Sequence, residues 1–252
     1  MSEWDPGQYL RYEDQRLRPA IDLIARIDAS PAEIWDLGCG TGAITALLAE
    51  RWPEATVHGL DSSTDMLDRA RTIAGVDWVL GSIATWQPGE PAGLIFSNAA
   101  LQWLGDHARV FPRLVDRLVP GGTLAVQMPR NHEEPSHTLL AETARSSRWA
   151  GLVGHLVQWA PIAEPAFYHD LLRPLLRSLD VWETTYLHTL TGPDPVAQWT
   201  RGTAARPFLE ALGAAGDEFM EEYATRLRAA YPARPDGTTL FPMRRVFIVG
   251  SK

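Results

Sequence analysis

The chain has 252 residues and a formal net charge of −8, with Lys252 its only lysine among 23 basic side chains. This acidity argues against nonspecific nucleic-acid binding. No apolar run approaches the ~18 residues needed to cross a bilayer, and the single Cys39 excludes an intramolecular disulfide. The polar opening Met1-Ser2-Glu3-Trp4-Asp5-Pro6 has no signal-peptide pattern, so a cytoplasmic location is expected.

Pro19 opens a helix whose Ile21, Leu23, Ile24 and Ile27 could cover a sheet or a cofactor. Glu33–Leu37 then reads as a short buried strand and Ala43–Arg51 as a helix, joined by the turn Gly38-Cys39-Gly40-Thr41-Gly42. Glycines there allow tight backbone turning and leave no Cβ to hold a ligand away, the mark of a nucleotide-cofactor turn. Asp36 selects among cofactors: a carboxylate at the strand end would repel the pyrophosphate of a dinucleotide. It would attract the ammonium and sulfonium of S-adenosylmethionine. Cys39 is a small packing residue within the turn.

Thr56–Leu60 forms a second strand running into Asp61, where an acidic side chain can accept hydrogen bonds from both ribose hydroxyls. Ser62-Ser63 cap a helix with Asp65 in its first turn and Met66, Leu67, Ala70 and Ile73 on one face. Val76–Leu80, Gly93–Phe96 and Thr123–Met128 read as strands three to five. The helix Arg109–Leu118, closed by Pro120-Gly121-Gly122, lies between the last two. This alternation predicts an α/β fold with a mostly parallel sheet covered on both faces.

After Met128-Pro129 the alternation stops, and helices are expected at His137–Arg148 and Phe167–Leu179. A strand at Val181–Leu190 puts Trp182, Thr184, Tyr186 and His188 on one face. Helical segments at Asp194–Arg201 and Pro207–Ala230 precede a last strand at Arg245–Val249. The whole chain reads as one domain: an N-terminal helical segment over 1–30, a core of about 31–130 and 180–252, and a helical cap insertion of about 131–178.

In these segments the chain resembles the class I S-adenosylmethionine-dependent methyltransferases and, among them, the trans-aconitate 2-methyltransferase family. Beyond the Asp36–Gly42 turn, the resemblance is carried by Trp4-Asp5-Pro6, Leu60-Asp61-Ser62-Ser63, Ser97–Trp103, Val126-Gln127-Met128-Pro129, Glu134-Pro135-Ser136-His137, Val181–His188 and Phe241–Arg245. It implies a Rossmann-like seven-stranded sheet with its last strand reversed. It also implies methyl transfer to one carboxylate of an unsaturated tricarboxylic acid or a similar small polycarboxylate, with no metal. Carried over residue by residue, it places Asp36, Gly38 and Gly40 at the donor's methionine part and turn, with Asn98 at the donor's amino group. Asp61 falls on the ribose, Ser62 and Met66 beside adenosine, and Ser82 and Ile83 at adenine. Tyr9 and Arg16 close the top. Many relatives carry an acid where this chain has Ser82, so a neutral hydroxyl would replace a charged contact.

A carboxylate acceptor is already ionised at neutral pH, so the expected catalysis is positioning alone, with no general base. Recognition of a polyanion favours arginine's rigid fork. The substrate candidates are Gln102, Trp103, Tyr186, His188, Arg206 and Arg245. Arg245 is preferred to Arg244 because neighbours on a strand face opposite ways. The expected partners are a small molecule and at most a weak second copy of the chain, with neither nucleic acid nor membrane. A malonyl-carrier carboxyl methyltransferase, an NAD-dependent oxidoreductase and a noncatalytic S-adenosylmethionine-binding regulator remain open alternatives.

Overall fold

The computed structural model describes residues 17–158 and 162–252. It contains α1 (Arg18–Ile24), β1 (Glu33–Leu37), α2 (Ala43–Arg51), β2 (Thr56–Asp61), α3 (Thr64–Ala70), β3 (Asp77–Leu80) and β4 (Ala92–Asn98). These are followed by α4 (His107–Asp116), β5 (Leu118–Pro129), α5 (Pro135–Arg145), α6 (Ala150–Val153), α7 (Pro165–Leu172) and β6 (Ser178–Leu190). Helices α8 (Pro195–Arg201), α9 (Arg206–Leu212) and α10 (Gly216–Ala230) then lead into β7 (Thr239–Ser251). Among the described residues no helix is long and apolar enough to cross a membrane.

The seven strands form one sheet in the order β3-β2-β1-β4-β5-β7-β6. Strands β1 to β5 pair in parallel, whereas β7 runs antiparallel to β5 with Gln127 opposite Phe247 and Pro129 opposite Arg245. The reversed strand implied by the family resemblance is therefore present. Ile34, Leu37, Leu94, Ile95, Phe96, Leu124, Ala125 and Val126 are all fully buried. Near-continuous burial along β1, β4 and β5 is what a parallel sheet covered on both faces requires. Helix α1 lies on β5, so its apolar stripe covers the sheet. Chain order reverses between β1 and β4, which opens a crevice at their carboxyl ends, the usual ligand position in such sheets.

Several boundaries differ from the sequence expectation. The helix at Phe167–Leu179 is shorter, Pro165–Leu172, because Arg173 precedes Pro174 and the residue before proline disfavours helix. Pro135 starts α5 two residues early, at a position where its missing N–H costs nothing. The long stretch 207–230 breaks at Gly213, whose φ is +53°. In β6, Trp182 and Thr184 are half-buried and Tyr186 and His188 buried, while Leu187 faces out, in keeping with the period of two.

The chain divides into two compact units. The first runs to Pro129 and includes Ala163–Thr184 and Arg245–Lys252; it holds the parallel strands and α7, whose Tyr168 packs against Phe111 of α4. The second comprises Arg130–Ile162 and Thr185–Arg244. The sequence reading joined 163–178 to the cap and 185–244 to the core; the contacts group them the other way. The physical reason is helix amphipathicity: α10 buries Phe219, Met220, Tyr223, Ala224 and Leu227 and packs on α5, α8 and α9. In that core Phe208 stacks on Phe219 at 5.9 Å between ring centres.

Candidate active site

Strand β1 leaves the sheet through three glycines in the left-handed region, Gly38 (φ +83°), Gly40 (+55°) and Gly42 (+81°). The amides of Gly38 and Cys39 both donate to the carbonyl of Leu60, at 2.8 and 3.0 Å, which ties the turn to the end of β2. The three glycines answer to different demands. A Cβ at Gly38 would stand 2.2 Å from Ala100 Cβ, and one at Gly42 would stand 2.5 Å from the Trp78 ring. At Gly40 a Cβ would meet nothing within 4 Å, so that face of the turn is left open. The Cys39 thiol is pushed up by burial and by the neighbouring charges of Asp36 and Asp61, leaving it inert packing.

Asp36 is almost fully buried at the end of β1, where its Oδ2 accepts from Thr45 Oγ1 at 2.6 Å. Burial pushes its carboxyl up to about 7; the Thr45 hydrogen bond opposes the shift and the charge of Asp61 adds to it. Asp61 lies across the turn. Its Oδ2 accepts from the Gly40 amide at 2.8 Å and its Oδ1 from the Ser63 amide at 2.9 Å. Each oxygen retains a further lone pair for a hydroxyl donor. Ser63, one residue after Ser62, is the helix cap, its Oγ accepting from Met66 N at 3.4 Å. Met66 is exposed, and Leu67 and Ala70 carry the buried face of α3 alone.

After β3 the loop Ser82-Ile83-Ala84 is held from within and from without. Ser82 Oγ accepts from the Ala84 amide at 3.2 Å, so the hydroxyl is partly committed to the loop's own turn. Arg113 of α4 donates to the carbonyls of Ile83, at 2.7 Å, and of Ala84. The sequence reading missed Arg113. A basic residue on a helix gives no signal of a partner in a loop 30 residues away. Ile83 also reaches the glycine turn, its Cδ1 standing 3.5 Å from the position a Cβ would take at Gly38.

At the end of β4, Asn98 Oδ1 is buried with no hydrogen-bond partner among the described residues. Ala99 takes a left-handed conformation (φ +52°), uncommon without glycine, and donates its amide to Gln127 O at 2.9 Å. Gln102, in the 3₁₀ turn Leu101–Trp103, donates Nε2 to Ala99 O at 2.6 Å, which leaves Oε1 buried without a partner among the described residues. Trp103 beside it is 80% exposed. Gln127 and Arg245 meet on the neighbouring strands, Arg245 Nη1 donating to Gln127 Oε1 at 3.2 Å.

Gln102, Trp103 and Arg245 thus lie in the first unit, with Asp36, Gly38, Gly40, Asp61, Ser62, Met66, Ser82, Ile83 and Asn98, the residues that the family resemblance assigns to the methyl donor. Tyr186, His188 and Arg206 lie in the second. There His188 stacks on Trp199 with ring centres 5.0 Å apart, as a packed core histidine would. Arg206 is exposed, and its Nε pairs with Glu210 Oε1 at 2.7 Å, one helical turn on. Arg244 belongs to the second unit, where its Nη2 meets Glu134 Oε1 at 2.7 Å. Tyr9 and Arg16 lie outside the described residues.

Two acidic side chains, two buried carbonyl acceptors without partners among the described residues and an open glycine face suit a cationic nucleoside. These are the groups that would hold S-adenosylmethionine at the ends of β1, β2 and β4.

Comparison with known proteins identifies the family. Residues 34–122 match a family model described as a methyltransferase domain. A trans-aconitate 2-methyltransferase from Streptomyces coelicolor is 49% identical, the match covering 99% of this chain and 86% of that protein. One from Azoarcus sp. strain BH72 is 46% identical over 99% of both chains. Among solved structures, a phosphoethanolamine N-methyltransferase 2 from Haemonchus contortus bound to S-adenosylhomocysteine superposes with a TM-score of 0.55 at 15% identity, covering 92% of this chain and 52% of that one. Coclaurine N-methyltransferase with N-methylheliamine and S-adenosylhomocysteine gives 0.55 at 14%, covering 95% and 73%. At those identities the likeness establishes the fold alone, whereas the full-length relatives establish more. The chain belongs to the trans-aconitate 2-methyltransferase family of S-adenosylmethionine-dependent methyltransferases.

Proposed function

We propose that this enzyme esterifies one carboxylate of trans-aconitate, or of a similar small polycarboxylic acid. The observation that carries the reading is the nearly full-length relationship to proteins of that name. Buried Arg245 beside the donor-site strand ends supplies a matching anion-binding group.

S-adenosylmethionine supplies an activated methyl group on a sulfonium. Asp61 holds the ribose hydroxyls through the lone pairs left by its two backbone bonds. Asn98 and Asp36 face the cationic end, and Ile83 with Ser82 frames adenine. The segment Ala99–Trp103 flanks the methyl, and Arg245 orients the acceptor carboxylate for in-line attack. No proton must be removed, because a carboxylate with a pKa of about 4 is ionised at neutral pH. Rate enhancement then comes from alignment and from excluding water around the nucleophile. Within this reading Arg206 ranks below Arg245, since its guanidinium engages Glu210 at the surface. A cytoplasmic enzyme acting as a monomer or weak homo-oligomer, without nucleic-acid or membrane partners, fits the same reading.

The test is a mass-spectrometric search for the gain of one methylene unit across trans-aconitate, cis-aconitate, isocitrate and malonyl thioesters. Turnover of trans-aconitate with formation of S-adenosylhomocysteine is expected. Turnover of another acid with none of the tricarboxylates would overturn the assignment.

Ser82→Asp is expected to tighten S-adenosylmethionine binding severalfold, on the order of 1 kcal/mol. An aspartate can still accept from Ala84 N while offering adenine a charged acceptor. An unchanged or weaker calorimetric dissociation constant would show that Ser82 serves only the loop.

A further inference from the structure

We propose that Gln127 is a specificity-determining residue that donates from Nε2 to a carboxylate oxygen of the acceptor, beside Arg245. The inference rests on the polycarboxylate reading above and extends it to a residue with no role assigned so far.

Strand register places the residue. Gln127 is the partner of Asn98 on β4 and of Phe247 on β7, and Arg245 lies two residues from Phe247 on the same face. Gln127 has no exposed surface. Its Oε1 accepts from Arg245 Nη1 at 3.2 Å, which fixes the orientation of the amide. The reverse assignment would set two donors against each other. Nε2 is therefore the remaining end, and it is buried without a hydrogen-bond partner among the described residues. Buried amide donors are rarely left unmatched, so this one points to a ligand that accepts.

At the ends of β4 and β5 the buried groups without a hydrogen-bond partner among the described residues differ in kind. Along β4 and the turn after it they are carbonyl oxygens, Asn98 Oδ1 and Gln102 Oε1. On β5 the unmatched atom is an amide N–H donor, with the Arg245 guanidinium on β7 joined to the same side chain. Acceptors suit the cationic methyl donor. A carboxylate, which only accepts, suits the donors of Gln127 and Arg245. The Phe247 ring, stacked on Trp182 at 4.9 Å, is the apolar neighbour of Gln127, and low polarity there strengthens a charged hydrogen bond. Gln127 thus has two tasks: it orients the guanidinium through Oε1 and grips the acceptor through Nε2.

The experiment measures trans-aconitate binding to the protein loaded with S-adenosylhomocysteine, together with KM and kcat, for wild type, Gln127→Met and Gln127→Glu. Methionine keeps the length of the side chain but has no donor; glutamate adds a charge of the wrong sign. Both variants should bind trans-aconitate roughly 10- to 100-fold more weakly. Their affinity for S-adenosylmethionine should stay within about twofold of wild type, which also reports that they fold. Itaconate, glutaconate and mesaconate, which each lack a different one of the three carboxylates of trans-aconitate, extend the test. One of them should bind the methionine variant and wild type alike, identifying the carboxylate that Gln127 holds. Unchanged trans-aconitate affinity in Gln127→Met would overturn the proposal, as would equal losses for donor and acceptor. If wild type binds trans-aconitate but never methylates it, the proposed reaction fails while the binding comparison still decides the role of Gln127. If wild type does not bind it at all, both fail.

Discussion

Gly38→Ala is expected to lose both thermal stability and donor binding, whereas Gly40→Ala should lose clearly less stability, only the backbone strain, and still fail to bind S-adenosylmethionine. Both glycines sit at positive φ, so alanine carries a backbone strain of about 1–2 kcal/mol at either position. At Gly38 the new methyl also collides with Ala100 Cβ, 2.2 Å away, adding about 1–3 kcal/mol of overpacking. Neither partner can swing aside, since Ala100 has only a Cβ and follows the left-handed Ala99. The combined loss of roughly 2–5 kcal/mol corresponds to a melting temperature lower by about 10 °C. At Gly40 a methyl meets no protein atom within 4 Å, so its cost falls on whatever approaches the open face. Thermal melts with and without S-adenosylhomocysteine separate the two cases. Equal destabilisation by both substitutions would show that the glycines serve backbone conformation only.

Asp36→Asn should stabilise the free protein at alkaline pH and weaken the donor site. In the folded chain burial lifts Asp36 from 3.8 to about 7. Below about pH 4 the carboxyl is protonated whether folded or not, and its shift costs nothing. Between pH 4 and 7 the unfolded chain ionises Asp36 and the folded chain resists, so stability falls as pH rises through that window. Above pH 7 the loss is complete, at about 4 kcal/mol, and the asparagine variant, which can still accept from Thr45, escapes it. Denaturation of wild type and variant should therefore coincide at about pH 4 and diverge by a few kcal/mol at pH 8. The donor's positive charge pulls the other way and favours ionised Asp36. Donor binding at about pH 6 should release close to one proton, a release that fades above pH 7. Calorimetry in two buffers of different ionisation enthalpy reads this directly; identical heats at pH 6 would refute it.

The features legible in the sequence are those in which one residue type answers one local demand. Alternate glycines, the acid at each strand end and the Ser63 cap all follow from backbone geometry within a few residues. The parallel core was legible too, because strands buried on both faces read as unbroken apolar runs. What escaped the sequence depends on partners brought together from afar. Gln127 sits in the apolar strand Ala125–Met128, where one amide reads as an interruption, and only register with β7 sets Arg245 against it. Unit boundaries were hidden similarly, since the buried stripe of α10 does not reveal that α5 covers it. Arg206 illustrates the opposite case. Its place at a helix start suggested a ligand role, although Glu210 four residues later was in plain view as a surface partner.

The hold of Arg113 on the Ile83 and Ala84 carbonyls also bears on how the protein forms. The loop and the arginine are 30 residues apart in sequence. A nascent chain that has emerged only through β3 has the glycine turn but not the arginine that holds the following loop. In the proposed site, the shape of the adenine side therefore depends on α4 being packed in place. The amides of α4 should in turn exchange more slowly with solvent deuterium once S-adenosylhomocysteine is bound, although α4 supplies none of the side chains assigned to the ligand.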